Sequence, residues 1–175
     1  MLIVGAGPVG LSVALWCRFF GARHIIVSDL AAARAKRAAE LGATATIDAS
    51  REDVAARFEA INGKPPRVGF DCVGAPGSMQ IAIDYAPIDA HVVVVGLCMG
   101  ADTIFPAVAF IKELDLSFVF AYRKQDFEMT VDMLGRGRVD AASMVNDSVG
   151  FGAFPETFEG LNNPGAQVKV ILEPD

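Results

Sequence analysis

Charge is sparse in this chain, and what there is leans acidic: 15 Lys and Arg stand against 21 Asp and Glu in 175 residues, a net charge of −6. No nucleic-acid partner is expected, because a phosphate backbone calls for clustered Lys and Arg that displace counterions. Cysteine is scarce too. Cys17, Cys72 and Cys98 lie far apart, without the close spacing of a zinc lobe or a redox pair, so a reducing, cytoplasmic compartment is expected. Cys17, within an apolar helix, reads as a small buried side chain. Long apolar runs are missing as well. Residues 1–17 carry no charge, but they lack a basic leader, hold Gly5, Gly7, Pro8 and Gly10 in their middle, and are soon followed by Arg18 and Arg23. A signal peptide and a membrane span are both rejected on these grounds. Length is limited: one ordinary domain fits, burying roughly 70% of the surface of its unfolded chain, and a second hardly does. An enzyme needing a cofactor domain and an equally large substrate domain would have to include this chain as a part. What abounds is apolar surface. With 53% hydrophobic residues, either the core is unusually apolar or some face expects a partner.

The apolar residues fall into a repeating order. Residues 1–4 have a strand's composition. From Pro8 the spacing of Val9, Val13, Trp16 and Phe20 predicts a helix ended by Gly21. Strand 25–27 follows, then an Ala-rich amphipathic helix over 31–41 stopped by Gly42. The pattern continues with strand 45–47, helix 51–61, a turn at Asn62-Gly63, strand 68–73, helix 78–85 and strand 92–95. Beyond Gly96 the expectations are a helix over 107–114, a sixth strand over 116–122 and a helix over 127–134 loosened by Gly135 and Gly137. Between 141 and 164 no strong period appears, apart from a helical turn around 154–161, and 168–172 is strand-like. Strands without polar alternation, separated by helices, predict a parallel sheet buried on both faces. The right-handed crossover rule makes this an α/β doubly wound fold of Rossmann type. Neither internal repeats nor low-complexity tracts are present.

Gly5-Ala6-Gly7-Pro8-Val9-Gly10 matches the dinucleotide fingerprint. Gly5 permits the turn off the strand, Gly7 lets backbone approach a pyrophosphate, and Gly10 lets helix and strand pack closely. Phosphate oxygens would lie at the helix N-terminus, with Val9 the main donor because Pro8 has no N–H. Asp29 follows 19 residues after Gly10, at the end of the second strand, where a carboxylate accepts bonds from both ribose hydroxyls and repels a 2′-phosphate. NAD is therefore expected over NADP. Asp29 also fits an N-cap of the following helix, a role compatible with ribose binding.

Several further segments carry a family likeness. Residues 2–43, ending in Ala39-Glu40-Leu41-Gly42-Ala43, resemble the cofactor domain of zinc-type medium-chain alcohol and polyol dehydrogenases. So do Gly69-Phe70-Asp71-Cys72-Val73-Gly74, Val92-Val93-Val94-Val95-Gly96, and Lys112-Glu113-Leu114-Asp115-Leu116 followed by Tyr122, the last being most similar to the sorbitol dehydrogenase branch. The resemblance implies that Asp29 and its neighbour Leu30 hold the adenosine ribose with Arg34 beside them, though a solvated helix charge is the commoner fate of such an arginine. It puts Cys72, Val73 and Gly74 at the adenosine side, Cys72 as a packing residue. Val95, Gly96 and Leu97, with Val119, Phe120 and Ala121 in the sixth strand, would meet the nicotinamide, and Lys169 would contact the pyrophosphate. The family pairs its cofactor domains near 103–120, so Ile104, Phe105, Val108, Phe110 and Ile111 would form a dimer surface, with a core helix an equally simple account.

Departures from the family pattern bear on function. Its catalytic zinc is held by a domain preceding the nucleotide fold, and no such ligands occur here; His24 and His91 have no Cys or carboxylate at ligand spacing. The expectation is an NAD-binding domain over 1–122 and a return segment over 123–175, the catalytic domain being absent. Zinc would then belong to the parent enzyme only, and this chain would bind NAD without turning over a small alcohol or polyol. Two alternatives are a non-enzymatic NAD-sensing module and, less favoured, a flavin-binding domain of the type that also begins GAGPVGL but places a glutamate where Asp29 stands. A short-chain dehydrogenase is disfavoured because a YxxxK pair is missing: Tyr122 is followed by Asp126 and Tyr85 by Asp89.

Overall fold

A computed structural model describes residues 1–161 and 167–174. Its centre is a six-stranded sheet in the order β3-β2-β1-β4-β5-β6, every pair parallel. The strands are β1 Leu2–Val4, β2 Ile26–Asp29, β3 Ala45–Asp48, β4 Val68–Asp71, β5 His91–Val94 and β6 Asp115–Phe118. Helices α1 Pro8–Phe19, α2 Ala32–Ala38, α3 Val54–Asn62, α4 Ser78–Tyr85 and α5 Pro106–Ile111 make the crossovers. The predicted doubly wound Rossmann-like fold is therefore present.

Successive residues of one strand feed opposite layers, as period-two geometry requires. On β1, Ile3 packs with Leu11, Ala14, Val27, Ala38 and Leu41. Its neighbour Leu2 packs on the other face with Ile26, Ile47, Val54 and Phe58. A third cluster joins α4 to β5 through Ala82, Ala86 and Val92. Strand order reverses between β1 and β4, so the turns after these two strands part at the switch point where such folds bind ligands.

Beyond the sheet lie α6 Lys124–Gly135, β7 Val145–Gly150, α7 Phe154–Gly160 and β8 Lys169–Glu173, with β7 and β8 paired in parallel as a second small sheet. Several boundaries differ from the sequence reading. The sixth strand stops at Phe118; Val119 still donates to the Val94 carbonyl, but Ala121 has φ +53°, a left-handed conformation no strand contains. Val119, Phe120 and Ala121 therefore lie past the strand, not in it. β4 ends at Asp71, which puts Cys72 and Val73 in the turn. The fifth helix ends at Ile111 because Glu113 has φ +50°. Between 141 and 164 the structure has strand β7, and residues 162–164 of that stretch lie outside the described residues. Asp53 caps α3 by accepting from Ala56 N–H, so that helix starts later than Arg51.

Candidate dinucleotide site

The glycine loop joins β1 to α1. Gly5 has φ +97°, the conformation that turns the chain off the strand without a Cβ penalty. A Cβ on Gly10 would stand 1.9 Å from the Gly5 carbonyl oxygen, so helix and turn approach as only glycine allows. Gly7 differs: it is the N-cap of α1, and a Cβ there would meet nothing within 4 Å. The space over Gly7 is open at a helix end whose first N–H groups lack intrahelical partners. Pro8 opens the helix without wasting a donor, and no acidic side chain lies in the first turn to compete with an anion.

Asp29 ends β2 beside this loop. One of its oxygens accepts the Ala6 N–H at 2.7 Å and the other the Ala31 N–H at 2.7 Å. The carboxylate is thus fixed at both ends, and each oxygen keeps a further lone pair for a ligand hydroxyl. It is not the N-cap of α2; that position is Ala31, which has no side-chain cap.

A cleft of about 460 Å³ opens here, lined by Gly5, Asp29, Leu30, Arg34 and Val73 together with Ala75, Pro76, Ser78, Ile81 and Tyr85. Five expected residues meet in it. The last five were not foreseen: they lie on the β4–α4 turn and α4, and lining roles there leave no motif. Burial, then the Asp53 and Asp84 carboxylates, push the Tyr85 phenol above its usual range. Along α1 a wider groove of about 610 Å³ is lined by Val9, Val13, Trp16, Phe20, Phe70, Val95, Ala121 and Tyr122. It gathers Val9, Val95 and Ala121. Between the two, a Cβ on Gly96 would stand 2.3 Å from Gly74 N, and one on Gly74 2.5 Å from Leu97 N. The turns after β4 and β5 therefore touch backbone to backbone.

Cys72 is buried, and a Cβ on Gly10 would lie 3.4 Å from its Cβ. Burial, with smaller contributions from Asp71 and Cys17, pushes its thiol up to about 12. A thiol that stays protonated in this way packs and does not attack. Phe120 and Leu97 are exposed, and Val119 and Phe120 line neither cleft. Lys169 lines neither cleft: it opens β8 in the small sheet, exposed, and its neighbour Val168 is buried in the cluster with Leu11 of α1.

Residues 8–136 match the family model described as zinc-binding dehydrogenase. The chain belongs to that family. Mouse sorbitol dehydrogenase (Mus musculus) is 33% identical over 180 residues, covering 100% of this chain and 49% of the mouse protein. A zinc-binding dehydrogenase from Sinorhizobium meliloti 1021, solved with NADP bound, superposes with a TM-score of 0.83 at 27% identity, over 99% of this chain and 52% of that one. A short chain alcohol dehydrogenase from E. coli CFT073, solved with NADH, has a TM-score of 0.85 over 98% of this chain and 51% of its own; at 22% identity the likeness is one of fold. This member of the zinc-binding dehydrogenase family spans about half the length of the curated relatives it matches. Among the described residues, no three His, Cys, Asp or Glu side chains gather where they could hold a metal ion, and no helix is long and apolar enough to cross a membrane. The space over Gly7 and the fixed carboxylate of Asp29 suit a dinucleotide.

Proposed function

We propose that this chain is the NAD(H)-binding part of a zinc-dependent alcohol or polyol dehydrogenase, with the dinucleotide unit over 1–122 and a return segment over 123–175. The observation that carries this reading is Asp29, held by the Ala6 and Ala31 amides at the rim of a cleft that begins at the glycine loop. Bound NAD supplies the hydride acceptor; everything else this chain does is binding and orientation. The Val9 N–H and its neighbours at the start of α1 would hold the pyrophosphate, with Gly7 and Pro8 shaping the approach. Asp29 would take the ribose hydroxyls, with Leu30 and Arg34 beside it and Cys72, Val73 and Gly74 closing the adenosine side. Val95, Gly96 and Leu97, with Val119, Phe120 and Ala121, would border the nicotinamide, and Lys169 would reach the pyrophosphate from the C-terminal segment.

The relatives include both an NADH and an NADP complex, so the choice of cofactor lies in local chemistry. A 2′-phosphate would be drawn to Arg34 but would stand against the Asp29 carboxylate, which cannot swing away because both its oxygens are bonded. NAD is the expected partner. The metal, the substrate pocket and turnover are assigned to the other half of the full-length protein, and homo-oligomers and a cytoplasmic location complete the reading. Calorimetric titration with NADH, NADPH and FAD tests it: tighter binding of NADH supports it, and tighter binding of NADPH or FAD overturns it. Alcohol oxidation by this polypeptide with one zinc per chain would overturn the division of labour.

A further inference from the structure

Asp71 ends β4 and is 1% exposed. A buried carboxylate is costly unless its oxygens are taken up. Here one accepts the Val73 N–H at 3.0 Å and the other the Ser78 hydroxyl at 2.9 Å. Its backbone carbonyl accepts two more bonds, from the Val95 and Gly96 N–H groups, both at 2.9 Å. A single residue therefore ties the turn after β4, the start of α4 and the turn after β5. Those turns have no slack, since Gly74 and Gly96 meet at the backbone. Val73 and Ser78 line the cleft that holds Asp29, and Val95 lines the groove along α1.

We infer that Asp71, acting with Ser78, is a positioning residue for the dinucleotide: it sets the spacing between the adenosine-side cleft and the nicotinamide-side turn without touching the ligand. The inference rests on the cofactor reading above. Removing either side-chain partner would let the turn carrying Val73 and Gly74 drift from the turn carrying Val95 and Gly96, so a cofactor spanning both would lose fit.

The test is fluorescence titration of the chain with NADH at a temperature where circular dichroism finds each variant folded. Affinity per folded molecule does not follow global stability, so a merely structural role leaves Kd unmoved. Ser78→Ala, which removes one hydrogen bond to the charged carboxylate, is expected to raise Kd about tenfold, and Asp71→Ala, which removes that bond and the one from Val73, at least about tenfold. The double variant should be no worse than the worse single, because both remove the same contact. Asp71→Asn should recover to within about threefold of the unsubstituted chain, since the amide can accept from Val73 and donate to the Ser78 oxygen. Kd values within about twofold of the unsubstituted chain for both alanine variants overturn the inference and leave the cofactor reading standing. Failure of the unsubstituted chain to bind NADH overturns that reading and the inference with it. If the alanine variants do not fold, hydrogen exchange of the unsubstituted chain decides: the Val73, Val95 and Gly96 amides should slow together on adding NADH, and unchanged rates overturn the inference.

Discussion

Two glycines three residues apart do opposite work in the loop after β1. Gly10 is constrained by the protein, since a Cβ there would stand 1.9 Å from the Gly5 carbonyl oxygen; Gly7 has open space where its Cβ would be. Gly10→Ala should therefore lower stability by about 2 kcal/mol or more, as overpacking against backbone does. Gly7→Ala should leave the melting midpoint unchanged yet weaken NADH by at least about tenfold, because the added methyl stands where the pyrophosphate approaches. Thermal melts and NADH titrations of the two variants separate these effects. Equal loss of midpoint in both would contradict the assignment. Cys72 supports a second prediction. Its thiol is raised to about 12 in the folded chain against an ordinary value near 9, so between these values the unfolded chain has released the proton and the folded chain keeps it. Stability contributed by the neutral thiol is complete below about pH 9 and declines as pH rises toward 12, by up to about 1.4 kcal/mol per pH unit. Urea melts from pH 8 to 11 should show Cys72→Ala losing less stability with pH than the unsubstituted chain; parallel curves would refute the shift. The sequence located the fingerprint glycines and Asp29 because each departs from what a bare turn needs. Asp71 and Ser78 were not legible, although Asp71 stands inside a quoted motif, because their partners arrive only when β4 and β5 are side by side.

Among the elements, α1 and α6 have the same length and different support. Helix α1 buries Gly10, Leu11, Ala14 and Cys17, whereas α6 buries no residue. Apolar side chains are present on α6, but Phe127, Met129, Val131 and Leu134 are exposed. A helix of this length is marginal in water without tertiary packing, so α6 is expected to exchange its amides much faster than α1 in hydrogen-exchange mass spectrometry. Equal protection would mean that another surface covers α6 in solution. The same contrast explains which elements the sequence disclosed. Strands β1, β2 and β5 are runs of Ile and Val buried between two layers, and their composition alone marks them. β7 contains Asn146, Asp147 and Ser148, has no buried residue, and is held by β8 and by the Asn146 side chain accepting from the Val168 and Lys169 amides. With neither an apolar run nor alternation, nothing local identifies it. The sixth strand was read too long for the converse reason: Val119, Phe120 and Ala121 have a strand's composition but no layer against them, and the backbone turns left-handed at Ala121.

At the scale of the molecule, the apolar excess divides unequally. The half around β1, β2 and β3 is covered on both faces, and its largest side chains, Phe58, Leu41 and Ile47 among them, are fully buried. Around β6 the balance reverses: Phe105, Phe110, Ile111, Phe118 and Phe120 are each more than 60% exposed. Strand order makes β6 an edge, so a row of backbone donors and acceptors is offered beside this apolar ground. An open edge strand with a hydrophobic surround is a template for another strand, and two copies related by a two-fold axis satisfy both edges at once. The chain is therefore expected to dimerise through β6. Sedimentation should find twice the chain's mass at micromolar concentration. A Phe110→Glu, Phe118→Lys double variant should shift the population to monomer, because charges at an apolar interface lose hydration without a guaranteed partner. Neither residue lines the dinucleotide clefts, so NADH affinity should survive the dissociation. A chain that is monomeric without substitution would refute the pairing.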